Sequence, residues 1–160
     1  MEEITLNFET LRTILNEFIN DFINTYKSFL IRDGKKATGN LINSIRFVNI
    51  NFSNGSLSGE ISLASYWKYV EYGRRPGKFP PPQAILSWIK TKPIIPRPIN
   101  GLKAPSEKQL SFLIGRKIAK EGIKAGNQFN EALDITWQRW EARISQAISE
   151  DLQYAINLYS

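Results

Sequence analysis

Two long amphipathic segments, one near each end of the chain, constrain the fold more than any other feature. From Phe8 to Ile31 the apolar residues recur at spacings of three, four and seven. This pattern is typical of a helix with one wide apolar face. Asn7 is a suitable N-cap for this helix, Glu9 suits the positive end of its dipole, and Asp33-Gly34 predicts its end.

The last segment of the chain has the same helical character and contains no proline. Its apolar stripe runs nearly to the terminus and consists of Phe129, Leu133, Trp137, Trp140, Ile144, Ile148, Leu152, Ala155 and Tyr159. A helix this long must bury its stripe against another element, and the first helix is the natural candidate. We therefore interpret Trp137 and Trp140 as core residues rather than as stacking platforms for nucleotides.

A β-hairpin is predicted between these helices, after a short helical turn within residues 38–45. In its first strand, alternation places Arg46, Val48, Ile50 and Phe52 on one face and Phe47, Asn49 and Asn51 on the other. Asn54-Gly55 is a strong turn signal, and Leu57, Gly59, Ile61 and Leu63 then alternate with polar residues. A two-stranded sheet is marginal alone, so we expect it to pack on a helix, and its edges are candidates for pairing with another subunit.

Further helices are predicted in the second half of the chain. Residues 66–72 fit either a short helix or an aromatic strand. Pro80-Pro81-Pro82 opens a helix over Gln83–Thr91, with its inward residues expected to be Ile85, Leu86, Trp88 and Ile89. A proline-rich loop follows at about residues 93–105, and Ser106 to Gln109 has the form of a capping box for a helix that ends at Gly122.

These elements together predict an α+β protein. A long N-terminal helix packs on a small antiparallel sheet, and several helices follow, including a long C-terminal helix. Gly126-Asn127 predicts a break before that last helix. No internal repeat or clear boundary divides the sequence, so residues 1–160 are expected to form a single domain.

The composition disfavours most enzyme classes. The chain contains no histidine and no cysteine, which removes the usual general base, the commonest metal ligand and the Ser-His and Cys-His nucleophile pairs. Neither a P-loop nor a dinucleotide-binding fingerprint is present. We therefore expect no catalytic residue, no cofactor and no metal. No apolar run approaches the roughly 20 residues of a membrane-spanning helix, so no membrane partner is expected.

The net charge of +6 conceals a strong asymmetry along the chain. Residues 1–31 carry a net charge of −3, residues 32–125 carry +12 and residues 126–160 carry −3. A basic centre between acidic ends favours contact with a polyanion, or head-to-tail pairing of unlike surfaces on neighbouring copies. A solvated basic surface is the plain alternative.

The segment Tyr66–Gly77 concentrates aromatic residues directly before a basic loop. Large aromatic surfaces are used in cores or at interfaces, and both uses remain open here. The candidate subunit-interface residues are Trp67, Tyr69, Glu71, Tyr72 and Gly73. Gly73 suggests a turn or a close backbone approach. Arg74, Arg75 and Lys78 are candidate contacts to DNA or to a neighbouring subunit, with a solvated turn as the alternative.

Four blocks of sequence, taken in order, resemble the tail-completion or neck protein family of tailed bacteriophages. They are Thr38-Gly39-x-Leu41-x-x-Ser44-Ile45, Tyr69-Val70-Glu71-Tyr72-Gly73, Ala84-Ile85-Leu86-Ser87-Trp88-Ile89, and Phe112 to Ala119 followed by Gly122. The chain departs from the family at residues 125–129, where members carry a small residue, proline and phenylalanine, and its terminal helix is longer.

The resemblance implies a non-enzymatic virion protein, assembled in the host cytoplasm. Such a protein forms or joins a ring at the head-tail neck or the top of the tail, through which DNA passes. The family further implies a homo-oligomer of six or twelve copies that touches adjacent portal, neck or tail proteins and makes non-specific contact with packaged DNA. The alternative from the residues alone is a small basic nucleic-acid-binding module that acts as a monomer or dimer.

Overall fold

The protein has long helices at both ends, one β-hairpin, and shorter helices between them. The computed structural model describes residues 8–35, 39–53, 56–92, 94–98, 101 and 103–158. Its elements are α1 (Glu9–Arg32), α2 (Asn40–Ser44), β1 (Arg46–Ser53), β2 (Ser56–Ser62), α3 (Trp67–Glu71), α4 (Pro82–Thr91), α5 (Glu107–Glu121) and α6 (Gln128–Leu158). The predicted α+β fold is confirmed. The expected N-cap Asn7 and the Asn54-Gly55 turn lie outside the described residues.

The chain divides into two units. Unit 1 comprises residues 1–32, 44–63 and 128–160, and therefore contains α1, the hairpin and α6. Unit 2 comprises residues 33–43 and 64–127 and contains α3, α4 and α5. Because each unit draws on separate stretches of the sequence, no single linear boundary separates them.

In unit 1, α1 and α6 pack against each other in antiparallel directions. Three ion pairs run along this contact, at 2.9–3.0 Å, and they join Arg32 to Glu131, Arg139 to Asp21, and Arg143 to Glu17. Since the partner number on α6 rises as the number on α1 falls, the two helices run in opposite directions. These pairs are largely exposed, so each contributes little to stability. The ion pairs therefore specify which positions of α1 and α6 face each other, and they add little to the free energy of the helix contact.

The core of this helix pair contains aromatic residues of α1 and small residues of α6. Phe22 and Tyr26 meet the ring of Phe129 edge-on, with ring centroids 5.0 and 5.3 Å apart. On α6, Ala132 and Thr136 have no exposed surface. Small side chains let the helix axes approach closely, which brings large residues of α1 into contact with the α6 backbone.

The apolar face predicted for α6 is only partly correct. Ile144 is buried, but Leu133, Trp137, Ile148 and Leu152 remain 37–46% exposed. Trp137 is therefore not a core residue, although its ring meets Phe18 edge-on at 6.2 Å. Trp140 is half-buried and donates its Nε1 proton to Asp21. The buried side of α6 instead contains Ala132 and Thr136, because the helix contact is centred on small residues. A pattern of large hydrophobic residues does not detect such positions.

The N-terminus of α1 is capped by a side chain from the other helix. Asp151 of α6 is 7% exposed and accepts hydrogen bonds from the backbone amides of Thr10 at 3.2 Å and Leu11 at 2.8 Å. The first amides of a helix have no partner within the helix, and a carboxylate there also interacts favourably with the helix dipole. Asp151 therefore links the start of α1 to a fixed position along α6.

The hairpin packs one face on α1. Phe52 contacts Phe8 with ring centroids 5.3 Å apart, and Leu57 packs on the cluster of Leu11, Ile144 and Ala147. Gly59 approaches so closely that an added Cβ would lie 2.5 Å from Cδ1 of Ile19. The expected support of the sheet by the first helix is confirmed.

A β-bulge changes the predicted alternation in β1. The strands pair antiparallel, with Phe47 opposite Ile61 and Asn49 opposite Glu60, which leaves Val48 as the extra residue. The bulge moves Phe47 onto the face that also carries Ile50 and Phe52, and Val48 is 48% exposed. The prediction that Val48 shares a face with Ile50 is therefore wrong, because strict alternation ends at the extra residue.

Replacing Asp151 by alanine should lower the free energy of unfolding by about 2 kcal/mol, because two backbone amides at the start of α1 lose their acceptor. Asp151→Asn keeps one acceptor oxygen and should lose less. The measurement is chemical denaturation followed by circular dichroism. The matched control is the neighbouring exposed Glu150→Ala, for which a loss below about 0.5 kcal/mol is expected. Equal losses for the two alanine variants would contradict the capping role.

Candidate functional site

The aromatic segment of unit 2 is a short helix followed by a loop that is attached to the end of α5. Residues 67–71 form α3, which resolves the helix-or-strand alternative left by the sequence. Arg74 and Ile123 exchange backbone hydrogen bonds of 2.9 and 2.8 Å, and the amide of Gly77 donates to Ala119 at 2.7 Å. The amide of Gly126 donates to the carbonyl of Glu71 at 2.9 Å. Backbone hydrogen bonds therefore attach the loop to the end of α5.

Two glycines make this close backbone approach possible. Gly73 has a φ of +70°, and a Cβ there would collide with the carbonyl oxygen of Ile123 and lie 2.7 Å from the amide nitrogen of Ala125. Gly122, with a φ of +79°, ends α5 and approaches the carbonyl of Arg74 in the same way. The predicted role of Gly73 in a turn or close approach is confirmed, and its neighbours belong to the same chain.

The candidate interface residues fall into two groups. Tyr69 and Tyr72 are 53% and 63% exposed, so their rings are available to a neighbour. Trp67 is half-buried, with its ring centroid 5.8 Å from that of Tyr72. Glu71 is only 1% exposed, and Gly73 lies against the end of α5. The structure therefore leaves the tyrosines accessible, buries Glu71 and places the half-buried Gly73 against the same chain.

The candidate basic contacts differ in the same way. Arg74 is half-buried, and its guanidinium donates to the backbone oxygen of Lys78. Arg75 and Lys78 are both exposed on the loop. Arg74 thus helps to shape the loop, while Arg75 and Lys78 present their charges to solvent.

Unit 2 also contains an apolar cavity of about 770 Å³ that the sequence did not single out. Most of its wall is formed by residues that lie in or next to α2, α3, α4 and α5. These residues are Gly39, Leu41, Ile42, Tyr66, Tyr69, Val70, Pro80, Ala84, Ile85, Trp88, Ile114, Ile118 and Ile123. Lys35, Lys92 and Asp33 complete the lining with Gly34 and Asn40. The volume lies within the range of ordinary binding pockets, and the wall has the usual mixture of many apolar and few charged groups.

Several lining aromatics are accessible from solvent. Tyr66 and Tyr69 are 42% and 53% exposed, and Trp88 is 40% exposed. The prediction that Trp88 points into a core is therefore wrong, whereas Ile85 and Ile89, one helical turn apart, are buried as expected. The ε-ammonium group of Lys92 donates to the backbone oxygen of Gly34 at 2.8 Å. This bond places a positive charge beside the turn that follows α1.

The packing of α4 on α5 supports the cavity wall. Gly115 of α5 is buried, and a Cβ at this position would overlap the ring of Phe79 and lie 3.1 Å from Cδ1 of Ile85. Ser111 donates a hydrogen bond to the carbonyl of Pro82 at 3.2 Å. The predicted capping box at Ser106 and Gln109 is confirmed. However, the inward face of α5 is centred on Ser111 and Gly115 rather than on Leu113, which is 37% exposed.

The two units carry opposite net charge. Unit 2 contains 15 basic and 4 acidic side chains, a net of +11, whereas unit 1 contains 6 basic and 11 acidic side chains, a net of −5. In unit 1, three of the arginines already pair with carboxylates across the helix contact. The charge asymmetry along the sequence therefore corresponds to a difference in net charge between the two structural units, and a positive net charge of this size favours contact with polyanions or acidic protein surfaces.

The described residues offer no metal-binding cluster of three or more Asp and Glu side chains. None of the described helices combines the length and the apolar character needed to cross a membrane. Comparison with protein-family models, with curated proteins and with solved structures gives no match for this chain. The resemblance to the tail-completion family therefore stays a prediction, and the function must be argued from the surfaces described above.

Gly73→Ala should lower the free energy of unfolding by more than about 3 kcal/mol, because a left-handed backbone and a collision with fixed backbone atoms act together. Gly34→Ala is the matched control. Gly34 has a similar φ of +63° but open space around it, so a loss of about 1 kcal/mol is expected. Thermal and chemical unfolding of both variants gives the comparison. Equal destabilisation would show that conformational strain alone explains the glycine at position 73.

Proposed function

We propose that the chain is a structural protein of the virion of a tailed bacteriophage. In this role it forms or joins an oligomeric ring at the head-tail neck or at the top of the tail, and DNA passes through the ring. Its action is architectural, without a catalytic residue, a cofactor or a metal. It would assemble in the host cytoplasm and remain in the finished particle.

One structural observation supports the proposal in addition to the order of the short sequence motifs. All four blocks that resemble the family contribute to the wall of the same cavity in unit 2: Gly39 and Leu41, Tyr69 and Val70, Ala84, Ile85 and Trp88, and Ile114 and Ile118. Their convergence on one cavity supports the view that the four blocks form one structural unit. Members of a family would share such a unit.

The exposed aromatic residues supply suitable contacts between copies. Tyr69 in α3 and Tyr72 directly after it are more than half exposed. Tyrosine is enriched at interfaces because its rigid ring buries a large area with little loss of side-chain entropy. In a ring, these residues would contact a neighbouring copy or an adjacent portal, neck or tail protein. Six or twelve copies is the number that the family resemblance implies.

The basic loop supplies suitable contacts to DNA. Arg75 and Lys78 are exposed, and they belong to a unit with a net charge of +11. Lysine and arginine contact phosphates without reading sequence, which suits a channel that must pass any DNA. Because the loop is attached to α5 by backbone hydrogen bonds, its charges are held on a fixed support.

The assembly itself is tested by measuring the mass of the purified chain with light scattering and imaging it in negative stain. Both measurements are repeated after co-expression with the products of neighbouring virion genes. We expect closed rings, alone or in the co-assembly. A chain that remains monomeric in every combination, and is absent from purified particles, would contradict the proposal.

A second candidate function is a small nucleic-acid-binding module acting as a monomer or dimer. The charge of unit 2 favours it, because such an excess of basic side chains is sufficient for non-specific binding to DNA. This module would bind free DNA tightly at low salt without forming rings. The ring protein would bind free DNA weakly and self-associate, so the two measurements together separate the functions.

Arg75→Ser combined with Lys78→Ser should weaken DNA binding in either case. Loss of two phosphate contacts should make the slope of log K against log salt concentration shallower by about 2. The measurement is fluorescence anisotropy with duplex DNA at several salt concentrations. The control is Arg12→Ser combined with Lys27→Ser in unit 1, which should leave the slope unchanged. A slope unaffected by the loop variant would show that Arg75 and Lys78 do not contact DNA.

A further inference from the structure

The C-terminal end of α6 presents an apolar surface with no counterpart on α1. Asp151 meets the first turn of α1 at Thr10 and Leu11, and α6 then continues to Leu158. These seven further residues extend about 10 Å at the rise of an α-helix. Leu152 is 42% exposed, and Tyr154 and Leu158 are each 61% exposed.

This end of α6 is also acidic. No lysine or arginine follows Arg143, and Glu150 is exposed one turn before Tyr154. The last turn of α6 contains no basic residue to interact with the negative end of the helix dipole. Tyr154 and Leu158 are one turn apart and lie on the same side of the helix, whereas Leu152 lies on nearly the opposite side. The segment is therefore a helix end with an exposed apolar pair and a negative potential.

The cavity of unit 2 has complementary properties. Its wall is apolar, its exposed rings are Tyr66, Tyr69 and Trp88, and Lys35 and Lys92 line it together with the single carboxylate Asp33. Unit 2 as a whole has a net charge of +11, against −5 for the unit that contains α6. An amphipathic helix that places apolar side chains in a groove is a recurring mode of protein recognition, and opposite charge favours such an encounter.

We propose that the end of α6 of one copy, at Tyr154 and Leu158, docks into the apolar cavity of unit 2 of a second copy. The contact is heterologous, because the two copies use different surfaces. Each copy then has one end to donate and one cavity to accept, so successive contacts close into a ring if the rotation between copies permits. The inference rests on the proposed function for its place in the particle, and it names the surfaces through which copies join.

The test disrupts each of the two surfaces in a separate variant and then mixes the two variants. The helix variant carries Tyr154→Gln and Leu158→Gln, and the cavity variant carries Lys35→Glu and Tyr69→Glu. Sedimentation velocity over a range of concentrations should show that the wild-type chain self-associates and that each variant does so at least about tenfold more weakly. Higher salt should weaken the wild-type association as well.

Mixing the two variants is the decisive measurement. The helix variant keeps an intact cavity, and the cavity variant keeps an intact α6 end, so one contact can form between them. We expect a heterodimer of one copy each and no larger species. A mixture that stays monomeric would overturn the heterologous contact, as would undiminished self-association of either variant.

Matched controls test whether substitutions elsewhere on the surface also weaken the self-association. Leu133→Gln with Ile135→Gln removes two partly exposed residues near the other end of α6, and Ile95→Gln alters an exposed apolar side chain of unit 2 that does not line the cavity. Both controls should associate like the wild type, and circular dichroism should show equal helix content throughout. Control variants that lose association equally would overturn the assignment of these surfaces.

The outcome also distinguishes this contact from the proposed function. Rings that persist in both variants, or that form only with other virion proteins while the chain alone stays monomeric at millimolar concentration, would overturn the α6 contact and leave the virion role in place. Absence of the chain from purified particles, with heterodimers still formed on mixing, would remove the virion role and leave the contact.

Discussion

The antiparallel contact between α1 and α6 is the interaction on which unit 1 depends. The two helices are far apart in sequence, yet Asp151 of one caps the first turn of the other, and Ala132 and Thr136 allow close packing along the seam. The two-stranded hairpin packs on α1 and, through Leu57, on Ile144 and Ala147 of α6, so its position depends on this helix pair. Loss of the contact would leave a marginal sheet without a surface to pack on.

Unit 2 depends on a different interaction, the close approach of two backbone segments. Its aromatic helix and basic loop are connected to α5 through backbone atoms at Gly73 and Gly122, where side chains would prevent the approach. Because backbone atoms make this connection, the side chains of Tyr69, Tyr72, Arg75 and Lys78 can remain exposed. A rigid loop with accessible aromatic and basic groups suits binding, since little order is lost when a partner arrives.

The sequence predicts elements that depend on local pattern and misses features that depend on how elements meet. The stripe of α1, the capping box at Ser106 and the break at Asn127 are all local, and each appears in the structure. The bulge at Val48 depends on pairing with β2, and the buried seam of α6 depends on how closely α1 approaches. The cavity combines four separated segments, so no single window of sequence contains it. The burial of Glu71 was missed for the same reason, because the surroundings of a charged residue are set by the tertiary fold.

The bulge at Val48 also determines how the hairpin can grow. In β1 the extra residue interrupts the regular spacing of backbone donors and acceptors and increases the local twist, whereas β2 keeps an uninterrupted register over Ser56–Ser62. The β2 side therefore offers the more regular template for an added strand. Two copies joined through their β2 sides would turn their bulged β1 edges outward, and such edges disfavour further stacking into fibrils.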